Sequence, residues 1–392
     1  MDFQALFKGR SLPAAFVDLD AFDANIAAVV RRAKDKFVRV ASKSVRCVAL
    51  LRRLEQKLGD HYCGLMTYSG EETLYLARCG FDRLLIGYPV TGENTLLNLA
   101  RAVAEGKDIT FMADLPEHLH RLQSAAQKAG TILSVCFDVD MSSRFPLLYF
   151  GVRRSALTDT ARVEKLTAVL QTCDRLRLTG MMGYEAQIAG LQDDVPGKPV
   201  LNLLLRVLKA RSAALVARRR KAVVEMLQSK GYALAFVNGG GTGSLETTVR
   251  ESAVSEVTAG SSFYNPGLFD AYKNFKHLPA AGFALEVTRK PAPRVVTCSG
   301  GGYIASGAAG WDKLPKVWHP SGAKLLKHEG AGEVQTPVRL APPMELEIGD
   351  VVVMRHAKSG ELCERFNTLL LIADGRVVGE VPTYRGEGMC FL

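Results

Sequence analysis

From Phe37 to Gly260, short apolar runs alternate with longer stretches in which apolar residues recur every three or four positions. The runs FVRVA (37–41), CGLM (63–66), RLLIG (83–87), ITFMA (109–113), ILSVCFDV (132–139), LRLTGMMG (176–183), ALAFVNG (233–239) and SEVTAG (255–260) read as strands. VALLRRLEQKL (48–58), GEETLYLARCG (70–80) and ENTLLNLARAVAEG (93–106) read as amphipathic helices, and a long helical pattern runs from Pro199 to Lys230. Strand and helix in repeated alternation predict parallel strands joined by helical crossovers. Eight such units close a (β/α)8 TIM-type barrel; an open doubly wound sheet is the competing arrangement.

After Pro266 the pattern changes. FALEVT (283–288), PRVVTC (293–298), DVVVMR (350–355), FNTLLLIA (366–373) and RVVGEVP (376–382) are separated by Gly- and Pro-rich turns with little helical periodicity. They predict a second, smaller all-β domain. AAFVDLD (14–20) precedes the first barrel helix and links the two parts. The expected organisation is an N-terminal segment over residues 1–20 associated with the β-domain, a barrel over 21–270 and the β-domain over 271–392.

A chain of 392 residues suits two domains or one large α/β domain with an appendage. The net charge of +10 raises the question of a nucleic-acid partner, but basic residues rarely cluster. The densest run, ARRRK (217–221), lies in the long helical pattern without interleaved aromatics and reads as a solvated helix face. No nucleic-acid partner is expected, and the surplus charge suits an anionic cofactor or substrate. The eight cysteines are scattered with no CxxC, and neither a signal peptide nor a membrane-length apolar run is present. The expectation is reduced thiols in a cytoplasmic protein without a membrane partner.

Barrel chemistry sits where strands end. Lys43 follows the first strand; Asp138, Asp140 and Arg144 follow the fifth; Tyr184, Glu185 and Gln187 follow the sixth. NGGGTGS (238–244) follows the seventh and GSSFYN (260–265) the eighth. Glycines in the seventh loop permit positive φ and close backbone approach, so that successive N–H groups can converge on an anion. The loop lacks the lysine of a Walker motif and lies at the wrong end of the fold for a dinucleotide fingerprint. A phosphate-bearing ligand near one strand-end lysine points to pyridoxal 5'-phosphate (PLP) held covalently by that amine.

With VDLDAFDANI (17–26), VASKS around Lys43, LLIGYPV (84–90), FDVD followed by Arg144, NGGGTGS and EVTAGSSFY, the chain resembles fold-type III PLP enzymes. Within them it resembles an alanine racemase-like N-terminal domain joined to a D-serine dehydratase/D-threonine aldolase-like C-terminal domain. The resemblance implies a cytoplasmic, usually dimeric enzyme. It implies Lys43 as the Schiff-base lysine, Arg144 near the cofactor's phenolic oxygen and Tyr184 near its ring. The glycine-loop residues Asn238, Gly240, Gly241, Thr242 and Gly243 would hold the phosphate, with Ser261 and Tyr264 completing that pocket.

The expected reaction is lyase chemistry on D-β-hydroxy-α-amino acids, either aldol cleavage or dehydration; a metal-independent racemase is the alternative. Tyr303 in SGGGYIASG would be the racemase's second base. Metal assistance at the β-oxygen would fall to His356 and Cys363 in RHAKSGELCERFN, a pair suited to zinc, with manganese or magnesium as harder options. Related enzymes place a histidine and an acidic residue or cysteine two positions apart there, and the AKSGEL insertion departs from that pattern. GYEAQIAG (183–190) also lacks the histidine that D-threonine aldolase-like sequences carry after the tyrosine. Trp311 and His319 are candidates for the substrate entrance or for loop packing. A non-catalytic PLP-binding protein is a further reading, from which the β-appendage distinguishes this chain.

Overall fold

The computed structural model describes all of residues 1–392. Strands Phe37–Ala41, Tyr62–Thr67, Leu84–Ile86, Ile109–Ala113, Leu133–Asp138, Leu176–Gly183, Phe236–Gly239 and Glu256–Ala259 pair in parallel and in chain order. The eighth returns to the first, with Glu256 opposite Phe37 and Ala259 opposite Val40, so the sheet is a closed barrel. The open doubly wound alternative is thereby excluded.

Side-chain alternation along each strand divides two environments. Outward residues such as Val38, Val40, Leu84, Ile86, Phe111 and Val135 join the large core shared with the helices. The inward set includes Leu85, Met112, Cys136 and Met182, a separate buried cluster flanked by Met66 and Phe236. Arg39 also points inward, where it makes a two-pronged ion pair with Glu256 at 2.6 and 2.9 Å. Asn238 donates to that same carboxylate at 2.8 Å and to the Thr258 hydroxyl at 2.9 Å. Bidentate geometry and these extra hydrogen bonds offset the desolvation of two buried charges. The cation near Lys43 in sequence is thus part of the barrel's filling.

The second sheet has nine strands. Ala14–Asp18 lies inside it, antiparallel to Ala281–Ala292 and parallel to Thr368–Ala373. Arg376–Pro382 forms one edge, while Val295–Ser299 and Gln335–Arg339 extend the other side. Val351–Arg355 pairs with both Ala281–Ala292 and Lys316–His319. Phe3, Phe7 and Phe16 build a small core there with Val351, Val353 and Leu370. At the end of its strand, Asp18 accepts from the N–H groups of Asp20 and Ala21 at 3.0 and 3.1 Å, capping helix Leu19–Ala33. The chain therefore passes from sheet to barrel helix with no intervening linker.

The ARRRK run differs from its reading as a solvated face. Arg218 and Lys221 are exposed, but Arg220 is 0 % exposed and lies between Glu185 and Glu251. Arg219 donates to the carbonyls of Asp140 and Ser142 at 2.7 and 2.9 Å. The periodicity of the helix Pro199–Ser229 turns Arg220 inward, sets Arg219 against the Asp140–Ser142 backbone and leaves Arg218 and Lys221 facing water. No helix is long and apolar enough to cross a membrane. All eight cysteines are free.

Candidate active site

One pocket opens at the C-terminal ends of the barrel strands. Lys43 stands on the 3-10 turn Ser42–Ser44 directly after the first strand, with its side chain exposed into that pocket. Its Nζ donates to the Tyr88 hydroxyl at 3.2 Å. The turn beneath it is firmly held: Ser42 Oγ donates to the Met66 carbonyl at 3.0 Å, and Arg46 Nε to the Lys43 carbonyl at 3.0 Å. Gly360, from the β-domain, packs so closely there that a Cβ would lie 2.0 Å from the Lys43 oxygen. The second domain thus supports the turn from behind.

Across the pocket runs the glycine loop. Gly240 has φ +82°, a left-handed conformation that glycine adopts without strain. A Cβ on Gly241 would meet Tyr184 Cε2 at 2.9 Å and Ala189 Cβ at 3.0 Å. Gly240, Gly241, Thr242, Asn238 and Ser261 all line the pocket, and the backbone N–H groups of Thr242 and Ser261 have no acceptor within the protein. The Thr242 hydroxyl accepts from Ser262 N–H at 3.1 Å, joining the seventh and eighth loops.

Glu185 fixes this loop from below. It is 1 % exposed, and its carboxylate accepts from Gly240 N–H at 3.2 Å, Ser244 Oγ at 2.8 Å and Thr248 Oγ1. Arg220 Nη2 balances its charge at 2.9 Å and also donates to the Gly183 carbonyl. The buried pair joins the sixth loop, the glycine loop and the long helix. Gln187 is turned away, donating to the Met141 carbonyl and Ser212 Oγ.

Several expected residues stand elsewhere. Arg144 is exposed on the hairpin Ser143–Phe145/Leu148–Phe150 and does not line the pocket. That hairpin carries it outward, and the returning segment brings Arg154 in instead. Arg154 Nε donates to Asp138 at 2.7 Å and Nη2 to the Gly87 carbonyl at 2.5 Å, with its guanidinium carbon 4.6 Å from the Tyr88 ring centroid. Burial pushes the Asp138 carboxyl up to about 6 even though Arg154 opposes the shift. Tyr264 is wholly buried and donates to the Val45 carbonyl at 3.0 Å, so it belongs to the core behind the site. Gly243 packs on the far side of its loop, where a Cβ would collide with the Ala189 carbonyl at 2.2 Å. Tyr184 does line the pocket; burial, together with Glu185 and Tyr88, pushes its phenol up to about 12.

The proposed metal ligands lie behind the Lys43 turn. Cys363 Sγ donates to the Val45 carbonyl at 3.2 Å, and burial raises its thiol well above the ordinary value. His356 stacks edge-on against Tyr264 at 6.2 Å and faces a separate cavity with Tyr303, Lys358 and Glu361. Its two ring nitrogens have no hydrogen-bond partner, and burial followed by the Arg355 charge lowers the imidazole to about 3. No third His, Cys, Asp or Glu joins the pair. Two positions after His356 stands Lys358, whose amine donates to Ser306 Oγ at 2.7 Å. Tyr303 packs edge-on against Phe283 and Phe366 and is absent from the Lys43 pocket wall. Trp311 is 54 % exposed in a β-domain turn, and His319 packs at a tilt against Phe3, so neither forms the mouth of that pocket within the chain.

Known proteins share this architecture. The 3-hydroxy-D-aspartate aldolase of Paracoccus denitrificans (strain Pd 1222) is 26 % identical over 250 residues, 64 % of this chain and 59 % of that protein. The match therefore spans less than two thirds of that relative. D-threonine aldolase from Filomicrobium marinum superposes with a TM-score of 0.80 at 19 % identity, covering 96 % of this chain and 95 % of the other. D-threo-3-hydroxyaspartate dehydratase from Delftia sp. HT23 gives 0.77 at 17 % identity, covering 96 % and 98 %. Residues 17–265 match the model for the alanine racemase N-terminal domain, and the chain belongs to that family.

Proposed function

We propose that the chain is a PLP-dependent lyase that cleaves D-β-hydroxy-α-amino acids between Cα and Cβ. The observation carrying this reading is one pocket that sets the Lys43 amine opposite a glycine loop with uncommitted N–H groups. That donor set fits PLP: an amine for its aldehyde, backbone N–H groups and the Ser261 side chain for its phosphate, and Arg154 for a ring oxygen. When bound, PLP supplies an electron sink for bond cleavage at Cα. Lys43 would hold it and return a proton to Cα; Arg154, fixed by Asp138, would keep positive charge beside Tyr88; Tyr184 lies against Gly241 of the glycine loop. The sequence relative's name, a 3-hydroxy-D-aspartate aldolase, supports cleavage over elimination.

His356 and Cys363 do not fit a catalytic metal in this chain. The thiol is turned to the Val45 carbonyl, no third His, Cys, Asp or Glu joins it and His356, and neither residue lines the pocket. No step is therefore routed through a metal. Racemisation has less support, because Tyr303 does not face Lys43 within the chain. The homodimer implied by the family resemblance belongs to this proposal. Val200, Leu203 and Leu204, exposed at the start of the long helix, are apolar surface available to it.

The test is an assay of the PLP-loaded protein with D-threonine and D-3-hydroxyaspartate, separating glycine plus aldehyde from keto acid plus ammonia. Glycine and aldehyde in equal amounts are expected. Keto acid alone would replace aldol cleavage with dehydration, and an L-amino acid product would establish a racemase.

A further inference from the structure

With no metal ligand on the pocket wall, some other group must receive the proton of the substrate's β-hydroxyl. Apart from the Arg154 guanidinium, which keeps its charge, the ionisable side chains there are Lys43, Tyr88 and Tyr184. Lys43 is committed to the cofactor and Cα under the proposed function. Tyr184 is held protonated by burial. Tyr88 has a different environment. It follows the third strand, with Gly87 N–H bonded to the Thr67 carbonyl at 2.8 Å, and the residue is 40 % exposed on the pocket wall. Its hydroxyl accepts from Lys43 Nζ at 3.2 Å, and the Arg154 guanidinium lies 4.6 Å from its ring centroid.

We propose that Tyr88 is the acid–base residue for the β-oxygen. As the Cα–Cβ bond breaks, the hydroxyl proton passes to the Tyr88 oxygen and the oxygen's lone pair forms the aldehyde C=O. The electron pair of the broken bond stays with the Cα fragment until a proton takes the place of Cβ. The proton taken by Tyr88 returns to solvent or, through the adjacent Lys43, to Cα. Substrate hydroxyl and α-carbon thus end as aldehyde and glycine, with no other reactant consumed.

The groups facing Tyr88 are Lys43 from the first loop, Arg154 from the fifth and Tyr184 from the sixth. Burial opposes ionisation of its phenol, but the charges of Lys43 and Arg154 prevail and hold it below the ordinary tyrosine value. Tyr62, Tyr68, Tyr75, Tyr272 and Tyr384 are shifted upward instead, all primarily by burial. A phenol that reaches its anion more readily is a better base near neutral pH.

This inference rests on the proposed lyase reading, and Tyr88→Phe tests it separately. Phenylalanine keeps the ring against Arg154 and removes only the hydroxyl. In the protein without PLP, ultraviolet difference titration should show one early-ionising phenol in the wild type and none in the variant. With PLP, the variant should retain its cofactor absorbance and its borohydride adduct at Lys43. Its kcat for aldol cleavage should fall roughly 100-fold or more, with the acidic limb of the kcat pH profile lost. Turnover within threefold of wild type would overturn the proposal, as would an unchanged titration. Loss of the Lys43 adduct together with turnover would also overturn it, by making Tyr88 a support for the lysine. If wild-type protein forms no PLP adduct at all, the lyase reading itself fails and this proposal with it.

Discussion

The Lys43 pocket and the His356 cavity both lie near the turn after the first strand, yet they are built on opposite physical terms. Around Lys43 the polar groups are open to the barrel mouth: an exposed amine, a partly exposed phenol, a guanidinium and unsatisfied N–H groups. Around His356 and Cys363 burial suppresses charge, lowering the imidazole to about 3 and raising the thiol. The first arrangement can exchange protons with a substrate, whereas the second favours neutral side chains in a packed domain junction. Proximity in space therefore does not make one site of the two.

The sharpest perturbation of the first region is Gly241→Asp. Its Cβ would collide with Tyr184 and Ala189, and its carboxylate would stand beside the bound phosphate. PLP retention measured by equilibrium dialysis should fall about 100-fold or more, roughly 3 kcal/mol, while far-ultraviolet circular dichroism stays close to wild type. Unchanged affinity would place the phosphate elsewhere.

The second region should respond much less in activity. Chelators, His356→Ala and Cys363→Ala should each leave aldol turnover within about threefold of wild type, although the alanine variants lose roughly 1–2 kcal/mol of stability. Abolished turnover with PLP still bound would join the two regions into one site and restore a metal to the reaction.

A smaller effect concerns Glu72, buried in the first turn of helix Gly70–Arg78, which accepts from Tyr68 N–H at 2.8 Å and from the Tyr384 hydroxyl at 3.1 Å. Burial raises its carboxyl from 4.5 to about 7, against those hydrogen bonds. Between these values the folded state binds more protons than the unfolded state, so stability falls as pH rises through the window. Glu72→Gln should flatten the decline in Tm between pH 5 and 8 by several degrees. An unaltered slope would assign the pH dependence to other groups.

Legibility from the sequence followed periodicity and spacing. The barrel strands lay within two or three residues of their apolar runs, since each is buried against helices and its pattern is continuous. Lys316–His319, Lys324–Leu325 and Gln335–Arg339 carried no such signal: they are short, polar or interrupted by Pro337. Lys43, Asn238 and the first glycines of the loop were readable because strand ends and glycine clusters are local features. Arg154 was not, because the 143–150 hairpin decides which arginine returns to the pocket, and strand-end counting favours Arg144. Tyr88 appeared in the LLIGYPV motif, but its meeting with Lys43 and Arg154 depends on barrel closure. Arg220 looked solvated because neighbouring charges hid the one facing inward, whose partner Glu185 is 35 residues away.

Under the proposed function, Lys43 is the amine that binds PLP in the barrel mouth. Borohydride reduction of the PLP-loaded protein, followed by digestion and peptide mass analysis, tests it most directly. A single reduced adduct on the peptide containing Lys43, and none in Lys43→Ala, is the expected result. An adduct on another lysine, or one that survives that substitution, would contradict it.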